Sequence, residues 1–172
     1  MTDSHEALLK RYLQLPERLE AAIVGLSESE LDLTKGEGWS IRQYVHHTVE
    51  GELMWQIFLR AIVGRDGIEF PISWYFGLPQ EEWAQRWAYD KRTVEPTLAL
   101  FRSSTRALVE LLRNLPPEAW EHYGCVTWPG EIEETHLTVR DILLIHLRHM
   151  DQHTADIRAI LELHHRRTGC DV

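Results

Sequence analysis

The chain has 172 residues, 44% hydrophobic and 26% charged, which is the size of one ordinary domain with a core that needs no disulfide staples. Eighteen Lys and Arg against 27 Asp and Glu give a formal charge of -9, an argument against a nucleic-acid binder that tracks phosphates. Two Cys, Cys125 and Cys170, are too few for a secreted disulfide scaffold. No apolar run reaches the length of a membrane span, and the acidic start Met1 to Glu6 does not read as a signal peptide, so a cytoplasmic protein without membrane or nucleic-acid partners is expected.

Leu8, Leu9, Tyr12, Leu15, Leu19, Ala22, Ile23 and Leu26 recur at three- and four-residue steps and predict a helix over 6–26, bent or interrupted by Pro16. After a polar run, Ser40 with Gln43 has the form of a capping box and opens a second helix over 40–63. Its buried side should carry Ile41, Tyr44, Val45, Met54, Phe58 and Ile62. Gly and Pro punctuate 64–77, which reads as a loop. Its Phe70, Trp74, Tyr75 and Phe76 carry too much aromatic area for water, so it should cover an end of the helices as a lid or a pocket wall.

Pro79 suits the first turn of a short helix through Trp87. A third main helix over 93–115 tolerates Pro96 only in its first turn and should bury Leu98, Phe101, Ala107, Leu108, Leu111 and Leu112. The stretch 116–137 holds one or two short extended pieces at most. Thr138, with Asp141 three residues on, opens the last helix, which runs to about His164. Ser40-Ile-Arg-Gln and Thr138-Val-Arg-Asp thus begin two helices with the same capping chemistry. The expectation is a single all-α domain over 1–172, core about 6–164: a four-helix bundle with long crossover connections.

Seven Trp and ten His are the compositional oddities. His149 and His153 lie one turn apart on the last helix, within a stripe that includes Ile142, Ile145, Ile157 and Ile160. Two imidazoles interrupting an aliphatic row are explained either by a shared metal ion or by polar edges reaching water at the bundle rim. His47 falls on the buried side of the second helix, whereas His46, about 100° away by the helical turn, should point elsewhere. Taken alone, His47 reads as a satisfied core residue. Joined to the pair, it completes three imidazoles from two helices, a site with open positions.

The segment Trp39-Ser40-Ile41-Arg42-Gln43-Tyr44-Val45-His46-His47, followed by Glu50 and later by His149-x-x-x-His153, resembles the DinB/YfiT-like family (the DinB superfamily) of bacterial metalloenzymes over about residues 6–163. The resemblance implies a four-helix bundle with a long crossover, a divalent metal (zinc, nickel or iron) held by His47, His149 and His153, and a homodimer. It makes His46 and His146 neighbours or pocket residues, and Glu50 either a proton-handling group or part of a solvated helix face. Members of the family include S-transferases and isomerases that use a low-molecular-weight thiol (bacillithiol, mycothiol or glutathione) as cosubstrate, and others described as metal-dependent hydrolases.

An open three-His site lowers the pKa of a bound water or thiol toward neutrality. The reading placed first is therefore a thiol S-transferase acting on a small electrophilic substrate. The alternatives are a hydrolase of a small amide or ester, with Glu50 or His46 carrying protons, and a non-catalytic metal-binding dimeric domain. Cys125 and Cys170 have no partner at ligand spacing. Arg42 and Arg140 read as structural or solvated salt-bridge residues before they read as binders of an acidic substrate. The closing run His164-His165-Arg166-Arg167 reads as a basic helix end complementing the macrodipole.

Overall fold

Ser4 caps the first helix, α1 (His5–Leu13), by accepting from the Ala7 N–H, but the helix stops at Gln14. Pro16 then takes the second position of α2 (Leu15–Ile23), where a missing N–H leaves no hydrogen bond unmade. The expected single helix over 6–26 is therefore two segments, yet the apolar stripe survives the break: Leu8, Leu9, Tyr12, Leu15, Leu19 and Ile23 are all buried. The computed structural model describes residues 4–168, with the side chains of residues 167 and 168 excepted. Cys170 and the Arg167 side chain lie outside the described residues.

A short α3 (Glu28–Leu31) leads to α4 (Ile41–Gly64), whose start is fixed by the anticipated box: Ser40 accepts from the Gln43 N–H and Gln43 accepts from the Ser40 N–H. Helix α4 is the axis of the molecule, packed against α8 on one side and α7 on another. It is therefore buried nearly all round, including Arg42, His46, His47, Glu52 and Gln56. Arg42 is neutralised by Asp32 at 2.7 Å and Glu28 at 2.8 Å, tying α3 to the start of α4, so its role is structural.

The segment 64–77 is not the plain loop expected. It contains β1 (Ile68–Glu69) and a helical turn, α5 (Ser73–Phe76). Strand β1 pairs in parallel with β2 (Tyr123–Val126), and β2 pairs antiparallel with β3 (Thr135–Thr138). This small sheet lies on the C-terminal half of α4, where Gly124 lets the backbone meet the ring of Phe58; a Cβ there would stand 2.3 Å from that ring. Pro79 precedes α6 (Gln80–Arg86) as its cap and does not sit in the first turn.

Helix α7 (Val94–Arg113) carries Pro96 in its first turn, as required. Its buried side differs from the expected one: Ala107 is exposed and Leu111 half-buried, while Thr105 and Val109 are buried with Leu98, Phe101, Leu108 and Leu112. Helix α8 (Val139–Thr168) opens on Thr138, which accepts from the Asp141 N–H and receives Asp141 as acceptor in return. The four-helix bundle is thus α1–α2, α4, α7 and α8, with the sheet and short helices filling the two long crossovers. No helix among the described residues is long and apolar enough to cross a membrane.

Candidate metal centre

Helices α4 and α8 meet at three imidazoles. His149 Nε2 lies 3.3 Å from His47 Nε2 and 3.0 Å from His153 Nε2, and one ring nitrogen from each falls within 4.8 Å of the others. The i, i+4 spacing places His149 and His153 on one face of α8, and His47 faces them from the second turn of α4. His47 and His153 are buried, and His149 is half-buried. Gly51, one turn after His47, faces the His149 ring: an added Cβ would meet its Cε1 at 3.6 Å, an ordinary contact.

Protonation favours ligation. Burial pushes the His47 and His149 imidazoles down to about 3, the neighbouring histidines adding to the effect. His153 is also lowered by burial, against the opposing pull of Asp156. The Asp156 carboxylate, 3.1 Å from His153 Nδ1, accepts the Nδ1 proton and leaves Nε2 as a lone pair toward the cluster. Trp39 packs on His47 with ring centroids 4.6 Å apart, and Tyr44 on His153 at 5.3 Å.

These donors fit a divalent ion. Three nitrogens each about 2.0–2.1 Å from one tetrahedral ion lie about 3.3–3.4 Å apart, close to the two shortest separations seen here. Without a cation, an Nε2–H on a neutral His149 can be given to only one of its two neighbours, which leaves the other close contact unmatched. The donor set is all imidazole, which suits zinc, nickel, iron or copper alike.

Beside the cluster opens a cavity of about 280 Å³. Trp55, Phe76, Trp128 and Ile145 supply apolar wall, His47 and His149 form its metal-facing side, and Glu52, Tyr75, Gln80 and His146 add polar atoms. The aromatic segment is therefore a pocket wall through Tyr75 and Phe76. Trp83 and Trp87 stand behind Tyr75 at 5.7 and 6.2 Å, while Trp74 is 52% exposed.

Two expected site residues stand elsewhere. His46 is fully buried on another face of α4, with Nδ1 3.0 Å from Thr97 Oγ1 and Nε2 3.2 Å from the Arg92 carbonyl. Burial pushes it down to about 4. Glu50 pairs with Arg92 at 2.9 Å. Neither lines the cavity, so the expectation that they handle protons there is revised: both ring nitrogens of His46 and the Glu50 carboxylate are engaged on the Arg92 side.

Sequence reasoning passed over Glu52 altogether. It stands in the buried stripe Val45, Val49, Gln56, Leu59 of α4, apolar but for Gln56, and an acid in such a stripe was the available signal. Asp156, three residues after His153, was missed as well. Cys125 is not partnerless: strand pairing sets it opposite His136, and Cys125, Glu134 and His136 bring ligand-type atoms within 4.8 Å. Burial and the neighbouring carboxylates raise the Cys125 thiol, which works against a thiolate there.

A four-helix bundle whose facing helices converge histidines beside a small-molecule cavity is a known architecture for a metal centre. The sequence matches the profile of the DinB superfamily over residues 11–157, and the chain belongs to that family. It is 29% identical over 159 residues to a Bacillus licheniformis protein named as an inferred metal-dependent hydrolase, covering 91% of this chain and 82% of that one. It is 25% identical over 141 residues to an Oceanobacillus iheyensis protein named in the same way, covering 72% and 78%. The fold is similar to that of YfiT from Bacillus subtilis, described as a probable metal-dependent hydrolase with an unusual four-helix bundle topology. That match has a TM-score of 0.80 and 19% identity, and covers 99% of this chain and 92% of YfiT.

Proposed function

We propose that this protein is a metal-dependent hydrolase of a small, largely apolar amide or ester, with His47, His149 and His153 as the metal ligands. The observation that carries the reading is the convergence of three neutral Nε2 atoms beside an apolar cavity of substrate size. The names of the two curated relatives support it. A divalent ion held there would supply Lewis acidity and a nucleophile at neutral pH. The chain's own residues do the rest: Asp156 orients His153, Trp39 and Tyr44 hold the rings of His47 and His153 in place, and Trp55, Phe76 and Trp128 exclude bulk water from the bound substrate.

Thiol S-transfer is the second reading. The donor set carries no anionic ligand, so the ion keeps its full charge to attract an anion, and a thiolate answers that as well as deprotonated water does. Zinc-loaded protein assayed on a panel of small aryl amides and esters separates the two from a parallel panel of electrophiles offered with bacillithiol, mycothiol or glutathione. Metal-dependent turnover of the first panel supports hydrolysis, and turnover of the second alone supports transfer. Turnover of neither points to a non-catalytic, metal-stabilised domain.

A further inference from the structure

Four buried polar atoms without a partner belong to residues of the same cavity: Glu52 Oε1, Tyr75 Oη, Gln80 Oε1 and His146 Nε2. Two of these residues are almost wholly enclosed, Glu52 at 1% and His146 at 2% exposure. Leaving such atoms unmatched costs about 1–3 kcal/mol each, so a ligand or water that matched four of them in one cavity would be favoured there.

The remaining atoms of the pair are well anchored. Glu52 Oε2 lies 2.7 Å from His146 Nδ1 and accepts the Tyr12 hydroxyl at 3.0 Å, while Gln56 donates to Tyr12 at 3.3 Å. Burial and the Glu52 charge raise Tyr12 well above the ordinary phenol range, which keeps it a donor. With two donors on one carboxylate oxygen, the His146 proton sits on Nδ1, and Nε2, on a residue that lines the cavity, is left with an unmatched lone pair. This is a carboxylate–imidazole pair on α4 and α8, distinct from the three ligands.

We propose that His146 is the proton-transfer residue of this cavity, oriented by Glu52, and that the substrate presents an N–H or O–H donor to it while its apolar body lies among Trp55, Phe76 and Trp128. The proton-transfer half rests on the hydrolytic reading; the binding half does not. In amide hydrolysis, the attacking water displaces the substrate donor from His146 Nε2, which takes a proton from that water as the C–O bond forms. The imidazole returns that proton to the nitrogen as the C–N bond breaks, so amide and water yield acid and amine with His146 restored. Glu52 acts through His146 as a positioning residue, stabilising the transient imidazolium.

The test uses full-length protein labelled with ¹⁵N-histidine, both metal-free and zinc-loaded, with phenylacetamide as a donor-bearing probe and ethylbenzene as its hydrocarbon control. His146 is expected in the Nδ1–H tautomer, with its Nε2 resonance moved by phenylacetamide and not by ethylbenzene. Glu52→Gln should loosen the tautomer lock and weaken phenylacetamide about tenfold without changing the affinity for ethylbenzene, which a general loss of packing would weaken equally. His146→Asn should keep the wild-type metal content while lowering kcat about 10²–10⁴-fold and raising KM about tenfold on any donor-bearing amide turned over. A His146 protonated at Nε2, no binding of phenylacetamide, or equal shifts from both probes overturns the proposal. Metal retained by His47→Ala overturns the hydrolytic reading instead, and the metal-free binding arm still judges the cavity by itself.

Discussion

Asp156 decides which nitrogen of His153 faces the other two imidazoles, because a carboxylate 3.1 Å from Nδ1 makes that nitrogen the proton donor. An amide in its place can offer either a donor or an acceptor, and the orientation is no longer fixed. Asp156→Asn should therefore lower metal affinity about 10–100-fold with the ligands intact, measured by competition against a chelator of known affinity. At this scale the helical period supplied the faces, and the family resemblance supplied the ligand assignment. His47, His149 and His153 fall on facing stripes of two helices, and the structure brings their ring nitrogens together. Asp156 was within the same reach, three residues from a candidate ligand. The bond between Tyr12 and Glu52 was not, since it joins residues 40 apart and depends on how α1 lies on α4.

Among the elements, α4 shows why one amphipathic stripe was too simple a picture. A helix wrapped by α7, α8 and the sheet keeps only a narrow solvated edge at Ile57 and Arg60, so His46 and Glu52 are buried although a one-faced reading points the first elsewhere and ignores the second. The short extended pieces expected in 116–137 are β2 and β3, whereas β1 escaped for a different reason: it has two residues, and its parallel partner lies more than 50 positions away. Gly124 marks where that sheet touches α4. Gly124→Ala would put a methyl group into the fully buried ring of Phe58, and the ring has nowhere to go. The variant should lose about 1–3 kcal/mol in urea unfolding, with an unchanged m-value. An unchanged midpoint would mean that the sheet does not rest on α4 as described. The two capping boxes and the Pro16 break, by contrast, follow from local chemistry and were readable as such.

Across the whole molecule, three buried tyrosines carry a pH dependence whose sign is fixed. Burial raises all three: Tyr75 to about 12, with the Glu50 charge adding, and Tyr12 and Tyr89 above the ordinary range with help from Glu52 and Tyr75 respectively. An unfolded tyrosine ionises near pH 10, so above about that value the unfolded chain releases protons that the folded one keeps. Stability is fully present below pH 10 and is lost as pH rises toward the folded values. Tyrosinate absorbance from these residues should appear together with loss of the far-ultraviolet helix signal; ionisation of all the tyrosines in a still-folded chain would contradict their burial.

The bundle and its metal centre meet at the α4–α8 seam, where the ligand donors come from both helices and an ion would bind them to each other. The direct measurement is elemental analysis of protein purified without a His tag or a nickel column. About one divalent ion per chain is expected in the wild type, falling steeply in His47→Ala, His149→Ala and His153→Ala while His146→Asn keeps its ion. Full retention of metal in all three alanine variants would contradict the assignment of the centre.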